Sequence, residues 1–288
     1  MLARPLALAL LLFSSGCCRL GLGRAEPLPA AAFEEHVEDR RSSYGPGFTV
    51  VAVPPFVVIG DGPPDWVKDD AREVVGVSAR LLKQHFFPRD PAAIIDVLML
   101  HTDASYDRYA GSFFGRPSTP YGYYSSCDRA IYTNMTLGNG TLVHEMVHAL
   151  MEANFPACPA WFNEGLASLY EHTDVASGEL RGRLNWRLPG LKSAIVRRKT
   201  VPLQSLLETS RGEFYDEKRS GLHYAMARYL CYHLQERGLL QTFYRRFVAG
   251  QEQDPTGVET LRAVLGERDL AAFQERWEKE VLALPDPR

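Results

Sequence analysis

The sequence has no marked surplus of either charge and no early apolar run long enough to cross a bilayer. Its 288 residues include 32 lysines and arginines and 35 aspartates and glutamates, a formal net charge of -3 at pH 7. Without a basic surplus, we expect no nucleic acid partner. The apolar run at residues 6–13 is far shorter than the roughly 20 residues that a transmembrane helix needs, so we expect no transmembrane helix.

Cysteine is scarce, with five in the chain, and two of them lie in an N-terminal segment that has the layout of a secretory signal peptide. One early basic residue is followed there by the apolar run and by small residues. We expect cleavage after Ala25, so that residues 1–25 are removed and the protein is exported, either secreted or in the cell envelope or periplasm. The alternative is a lipoprotein leader that ends at residue 16 and leaves a lipid anchor at Cys17.

Three cysteines remain beyond such a leader, an odd number for an oxidising compartment. Cys231 lies in an apolar helical pattern and is expected to be a buried thiol. Cys127 and Cys158 are candidates for a disulfide, and three free thiols are the alternative. Asn134 and Asn139 begin two glycosylation sequons, which matter only in a eukaryotic secretory pathway.

The most informative stretch is residues 141–150, which reads TLVHEMVHAL. Residues four apart lie on one face of a helix, so His144 and His148 can present two imidazoles to one metal ion, with Glu145 beside them. The flanking residues are almost all apolar, which predicts a buried helix. Because unpaired polar groups are costly in such a helix, the pattern predicts that a metal ion pairs with them.

A catalytic zinc has three protein ligands and keeps one position for water, so one more ligand is needed. Glu164 is the candidate, in a second apolar helical pattern that begins with AWFNEG. Pro156 and Pro159 in the connector end the first helix and start the second, which allows an antiparallel return toward the histidines. Gly165, the next residue, allows two backbones to approach closely.

HEMVHAL followed by AWFNEGLASLY resembles the gluzincin clan of metallopeptidases. It is most similar to peptidase MA-like families in which an HExxH helix is followed by a W-x-x-E-G motif. This resemblance implies a zincin-like fold, one Zn²⁺ bound by His144, His148 and Glu164, and Glu145 as the general base. It covers residues 144–170 specifically and the surrounding domain only loosely. No GxMEN-like segment precedes the helix, so aminopeptidase activity is not implied, and the connector is shorter than in thermolysin.

The residues themselves favour hydrolysis over a structural metal. Zinc lowers the pKa of its bound water, and a neighbouring carboxylate such as Glu145 can take the proton and return it to the leaving amine. A structural zinc site has no use for that carboxylate. The sequence therefore predicts a zinc endopeptidase that acts on a peptide or protein substrate. The alternative is an exported binding or assembly module that keeps the zincin scaffold without hydrolysing anything.

The group that stabilises the oxyanion follows only from the resemblance. Gluzincins use a Tyr or His from a later helix, and residues 220–230 have such a helical pattern. His223 and Tyr224 are the candidates, with ordinary core packing as the alternative for both. The other titratable groups near the motif are expected on solvated turns or helix ends, namely Glu152, Glu171 and His172.

The order of patterns predicts an α+β fold, with a small N-terminal mixed sheet, one crossing helix, the HExxH helix and a mainly α C-terminal part. Residues 26–47 are rich in Pro, Ala and charge and predict a linker or arm. The domain then covers residues 48–288, with a sheet-containing half at 48–138 and a helical half at 139–288.

Single elements can also be predicted within this domain. The expected elements are a strand over 48–59 broken at Pro54 and Pro55, a helix over 65–87 with an Asp65 cap, a buried strand over 94–101 and a short strand over 128–135. Residues 129–133 are expected at the sheet edge above the cleft, where an extended peptide could pair with them. Residues 111–124 are expected to line or cover the cleft, or to form only a surface loop.

Overall fold

The computed structural model describes residues 28–110, 119–176 and 178–287. The predicted leader, its cleavage site and the lipid-anchor residue Cys17 lie outside these ranges, as do residues 111–118 of the predicted cleft loop. None of the helices in the described ranges combines the length and the apolar character needed to cross a membrane.

Five strands form one small mixed sheet. They are β1 (Thr49–Val53), β2 (Phe56–Gly60), β3 (Ile95–Leu100), β4 (Gly122–Ser125) and β5 (Ala130–Asn134). Their spatial order is β1-β2-β3-β5-β4, with β2, β3 and β5 parallel and an antiparallel strand at each edge. Every residue of the three central strands is buried, which explains their nearly continuous apolar sequences.

Helices dominate the rest of the described chain. In order they are α1 (Ala30–Tyr44), α2 (Pro64–Asp70), α3 (Val77–His85), α4 (Asp103–Ala110), α5 (Gly140–Asn154), α6 (Ala160–Leu169), α7 (Arg187–Val196), α8 (Leu203–Glu208), α9 (Arg211–Phe214), α10 (Ser220–Glu236), α11 (Leu240–Gly250), α12 (Val258–Leu265) and α13 (Leu270–Ala283). A hairpin of β6 (Thr173–Ala176) and β7 (Glu179–Gly182) follows α6. The predicted α+β class is thus confirmed, although this hairpin was not expected in the helical half.

Different helices cover the two faces of the sheet. The side chains of β2 show this, because they point alternately to one face and to the other. Phe56 and Val58 belong to the large apolar cluster that includes residues of α3, α5, α6, α10 and α11. Val57 and Ile59 point to the opposite face, where they pack with α1. Alternate residues of a strand point to opposite faces, so both faces of β2 must be covered by helices. The main core is therefore continuous from the sheet into the helical half.

Residues 26–47 do not form the expected linker, because α1 occupies most of this range. Phe33 and Val37, four residues apart, are buried against the sheet. On the same helix, Arg40 Nε donates to Asp96 Oδ2 of β3 at 2.7 Å, and His36 Nε2 lies 2.7 Å from Asp96 Oδ1. An apolar stripe of only two residues among charges is too weak a pattern to indicate a helix.

Most of the predicted elements in the sheet-containing half are present. The chain turns at Pro54 and Pro55 between β1 and β2, and the strands expected over 94–101 and 128–135 are β3 and β5. The helix expected over 65–87 begins at Pro64, contains a π-helical turn at Ala71–Gly76, and has no capping hydrogen bond from Asp65.

The edge strands are β1 and β4, so the prediction that residues 129–133 form an edge strand was wrong. β5 lies between β3 and β4 and pairs with both. Gly122 begins β4 with a φ of 158°, and a Cβ there would lie 2.6 Å from the carbonyl oxygen of Tyr132. The four residues GYYS are too few to show a strand alternation, which is why this edge was not predicted.

Candidate metal centre

Helices α5 and α6 carry the motif residues and are joined by a short connector. The N–H of Phe155, which follows α5, donates to the carbonyl of Met151, and Pro159 directly precedes α6. Pro159 thus starts the second helix as the sequence suggests. Gly140 at the start of α5 lies close to the end of α6, since a Cβ there would be 2.3 Å from the carbonyl oxygen of Glu171. The two helices are therefore in contact beside the motif.

Three buried side chains from these helices converge. His144 Nε2 and His148 Nε2 are 3.0 Å apart, and Glu164 Oε2 lies 3.3 Å from the first and 3.5 Å from the second. Glu164 has only 1% of its side chain exposed. Together the three residues can hold a metal ion.

The donor set fits a small tetrahedral cation. Bonds of about 2.0–2.1 Å in tetrahedral geometry place ligand atoms about 3.3–3.4 Å apart, close to the three separations observed here. Glu164 Oε2 is buried and has no hydrogen-bond partner in the described part of the protein. A buried carboxylate oxygen without a partner is costly, and a cation between these three atoms would satisfy it.

Each histidine is oriented through its other ring nitrogen. His148 Nδ1 lies 2.9 Å from Asn163 Oδ1, and His144 Nδ1 lies 3.3 Å from Glu171 Oε1. Such contacts fix the ring and leave Nε2 for the metal. The expectation that Glu171 lies on a solvated turn was wrong, because its side chain is only 8% exposed. Asn163 was not predicted, although it immediately precedes Glu164 in the motif.

Arg187 balances the charge of Glu171. Its guanidinium donates to both carboxylate oxygens, at 2.8 and 3.1 Å, and lies 5.1 Å from the ring centre of Tyr224. Burial disfavours ionisation of Glu171, but Arg187 and the contact with His144 outweigh it and lower the pKa of Glu171 to about 2. Glu171 is therefore a buried carboxylate held between a guanidinium and a candidate ligand.

Glu145 lies beside the three residues but faces the sheet edge. Its Oε2 accepts a hydrogen bond of 2.9 Å from the backbone N–H of Tyr124 in β4. Burial raises the pKa of Glu145, and the neighbouring His144 and His148 oppose this shift. A buried carboxylate with a raised pKa has the property required of a general base that later gives up its proton.

Negative charge dominates the neighbourhood of the two histidines. Burial alone would lower their pKa values, but the nearby carboxylates of Glu164 and Glu171 raise the pKa of His144 to about 10. The charge of Glu164 likewise raises the pKa of His148. Conversely, the histidines hold the pKa of Glu164 well below its ordinary value in spite of its burial. This arrangement attracts positive charge, whether protons or a metal cation.

Two tyrosines, Tyr215 and Tyr224, lie near Glu164. Of these, only Tyr224 was predicted as a group that could stabilise the oxyanion. Tyr215 donates its hydroxyl to Glu164 Oε1 at 2.6 Å, and its ring lies 6.3 Å from that of Tyr224. The predicted alternative, His223, instead donates from Nδ1 to the carbonyl of Phe214 at 3.1 Å. It lines a groove of about 730 Å³ between α8, α9 and α10. Tyr215 follows a helix of four residues, and no local pattern links it to α6.

The remaining predicted residues lie outside the cluster. Glu152 and His172 are exposed, as expected. Cys127, Cys158 and Cys231 are free thiols, so the disulfide considered for the first two is not formed. Cys127 is exposed in the turn between β4 and β5, whereas Cys158 is partly buried in the connector before α6 and Cys231 is buried as expected.

The two sequons differ in accessibility. Asn134 is buried, and its amide nitrogen, the atom that would carry a glycan, donates to Asp103 at 2.8 Å and to the carbonyl of Pro120 at 3.1 Å. Asn139 is only partly buried, at the start of α5. Asn139 is therefore the more accessible of the two, although its side chain forms a hydrogen bond with Asp70 of α2.

Comparison with known proteins does not assign a family. No protein-family model matches the sequence, and no curated protein matches it either. The geometry and chemistry of the cluster around His144, His148 and Glu164 therefore carry the functional argument.

Proposed function

We propose that this protein is a zinc-dependent peptidase of the gluzincin type, with a zincin-like fold, which acts as an endopeptidase on peptide or protein substrates. One observation carries the proposal: a buried carboxylate, Glu145, stands beside a metal-binding cluster without belonging to it. A site with a purely structural metal has no need of such a group. Its contact with Tyr124 keeps it next to the sheet edge.

Each residue of the centre has a distinct task. His144, His148 and Glu164 would hold Zn²⁺, with Asn163 and Glu171 orienting the two imidazoles. Zinc, when bound, supplies a Lewis acid that acidifies water and polarises a carbonyl group. Glu145 accepts the proton that the attacking water loses, and it then donates this proton to the nitrogen of the leaving amine.

The edge strand β4 suits an extended substrate. Because the N–H of Tyr124 bonds Glu145 and not β5, the unpaired side of β4 faces the general base. A peptide that pairs with an edge strand is held through its main chain, and its side chains then contribute little to selection. We therefore expect an extended, unfolded segment of chain as the substrate.

A metal analysis combined with a mixed-peptide cleavage assay tests the proposal. Wild type should contain one zinc per chain and cleave peptides. Glu145→Gln should keep the zinc and lose activity by a factor of about 100 or more, since an amide cannot accept the proton. Glu152→Gln, an exposed change on the same helix, is the matched control and should behave as wild type.

Each other outcome has a clear meaning. Zinc binding without cleavage of any peptide would favour the non-catalytic scaffold. Wild-type turnover in Glu145→Gln would reject the general base, and a wild-type protein that binds no metal would reject the proposal as a whole.

Export is a separate part of the proposal and has its own test. N-terminal sequencing of the mature protein should find Glu26 as the first residue. A lipid-modified Cys17 at the N-terminus would instead establish the lipoprotein leader, and an intact Met1 would contradict both forms of export.

A further inference from the structure

The two carboxylate oxygens of Glu164 have different surroundings. Oε2 faces His144 Nε2 and His148 Nε2 at 3.3 and 3.5 Å and has no hydrogen-bond partner in the described structure. Oε1 accepts the hydroxyl hydrogen of Tyr215 at 2.6 Å. A carboxylate can bind a cation through one oxygen or through both, and a strong hydrogen bond to one oxygen weakens it as a metal ligand. The difference between the two oxygens therefore affects whether Glu164 would bind a metal through one oxygen or through both.

Tyr215 is held in place by contacts other than its bond to Glu164. The preceding helix α9 begins with a capping box, in which Ser210 and Glu213 satisfy each other's backbone N–H groups. At its other end, the carbonyl of Phe214 accepts the hydrogen bond from His223 of α10, and the Phe214 side chain is fully buried. Both ends of this short segment are thus fixed, and Tyr215 directly follows it.

We infer that Tyr215 is a positioning residue that makes Glu164 a ligand through one oxygen only. Its hydroxyl occupies Oε1, so that Oε2 alone is presented to the metal between the two histidines. This inference rests on the proposed function, because it takes the three residues as the ligands of a bound zinc. One-oxygen binding leaves the fourth tetrahedral position open, which a catalytic zinc needs for water.

A competing role is easily distinguished from this one. A tyrosine near a catalytic metal can stabilise the oxyanion of the reaction, and its loss then lowers turnover without changing the binding of the metal. A positioning residue acts before any substrate is present. Its loss must therefore change metal affinity and coordination in the protein without substrate.

The test is Tyr215→Phe, which removes the hydroxyl and keeps the ring. Zinc affinity, measured by competition with a chromophoric chelator, should fall about 10- to 100-fold, the usual effect of losing a group that orients a ligand. In the cobalt-substituted protein, the visible d–d bands should weaken, because a second oxygen of Glu164 raises the coordination number from four to five. Lower affinity and weaker bands together support the inference.

Tyr123→Phe is the matched control. Tyr123 is also buried and donates its hydroxyl, to the carbonyl of Ala110 at 2.9 Å, but it packs with α4 on the opposite face of the sheet from α5. This variant should bind zinc and cobalt as wild type does. A double-mutant cycle adds specificity: in a Glu164→Ala background, Tyr215→Phe should change zinc affinity by less than about twofold, because its partner is gone.

Three results would overturn the inference. The first is wild-type zinc affinity and an unchanged cobalt spectrum in Tyr215→Phe, whatever happens to turnover. The second is a full effect of Tyr215→Phe in the Glu164→Ala background. The third needs no variant, and so remains decisive if Tyr215→Phe does not fold: a crystal structure of the zinc-loaded wild type with both Glu164 oxygens bound to the metal. Failure of wild type to bind zinc would reject the proposed function instead.

Discussion

Asn163 Oδ1 lies 2.9 Å from Nδ1 of His148, so the residue before one candidate ligand orients another. The contact joins α6 to α5 at the centre of the motif. Since Oδ1 can only accept, the His148 ring donates from Nδ1 and leaves Nε2 unprotonated for a metal in its neutral form.

We expect Asn163→Leu to weaken zinc binding about 10-fold or more, because Leu has a similar size but cannot fix the His148 ring. The measurement is chelator competition at pH 7 on protein whose folding has been checked by circular dichroism. Asn163→Asp retains an acceptor oxygen and should bind zinc much more tightly than Asn163→Leu. Equal affinities in the two variants would contradict an orienting role.

Zinc binding should release protons. Glu164 and Glu171 outweigh burial and raise the pKa of His144 to about 10, so the His144 imidazole is protonated at pH 7 in the metal-free protein, and Glu164 raises the pKa of His148 as well. A cation must displace a proton from a protonated imidazole, and zinc affinity should rise as the pH increases from 6 to 8. Calorimetry in buffers of different ionisation enthalpy should show release of about one to two protons per zinc. An affinity independent of pH would contradict this account.

Glu171 should make the metal-free protein sensitive to acid. Its pKa is lowered from 4.5 to about 2 in the folded state, so its ionised form stabilises the fold above pH 4.5. That contribution should disappear as the pH falls from 4.5 toward 2. Glu171→Gln should lower the free energy of unfolding at pH 7 by about 3 kcal/mol or more, because it leaves the Arg187 charge buried without its partner.

Denaturant unfolding with a chelator present, at several pH values, measures this effect. Glu171→Gln should lose stability less steeply than wild type between pH 4.5 and 3. The exposed change Glu152→Gln is the control and should follow wild type. Parallel curves for wild type and Glu171→Gln would show that Glu171 does not contribute to acid sensitivity.

Gly165→Ala should destabilise the contact between α6 and α10. The added Cβ would lie 2.9 Å from the carbonyl oxygen of Ala227 and 3.1 Å from Cys231 Sγ. The backbone of α10 cannot move aside freely, so we expect a loss of about 1–3 kcal/mol in thermal or denaturant unfolding. Gly221→Ala in α10, where a Cβ meets nothing within 4 Å, is the matched control and should not be destabilised. Equal stabilities would contradict the close packing.

The sequence predicts the parts of the centre that depend on local geometry. His144 and His148 are four residues apart on one helix, and Glu164 follows on the next helix after a short connector, so spacing alone brings them near one another. The α+β class can be predicted in the same way, because it follows from local strand and helix patterns and their order along the chain. This class was confirmed.

What the sequence does not predict depends on distant packing. Tyr215 contacts Glu164, which is 51 residues away in the sequence, and Arg187 contacts Glu171, which is 16 residues away. Neither residue belongs to a motif, and periodicity cannot distinguish a buried Glu171 from one on a solvated turn. Only the folded chain shows that Glu171 and Tyr215 complete the surroundings of the cluster.

The contact between Tyr124 and Glu145 also changes what the edge of the sheet offers to other chains. A bare strand edge is a template on which another copy of a chain can add its own strand, and proteins guard against this with short edges and nearby charges. Here β4 is only four residues long, and its Tyr124 N–H is already bonded to a carboxylate. The described edge of β4 thus offers no continuous row of free N–H donors to a second copy. The bond between Glu145 and Tyr124 therefore makes this edge a poorer template for a strand from a second copy.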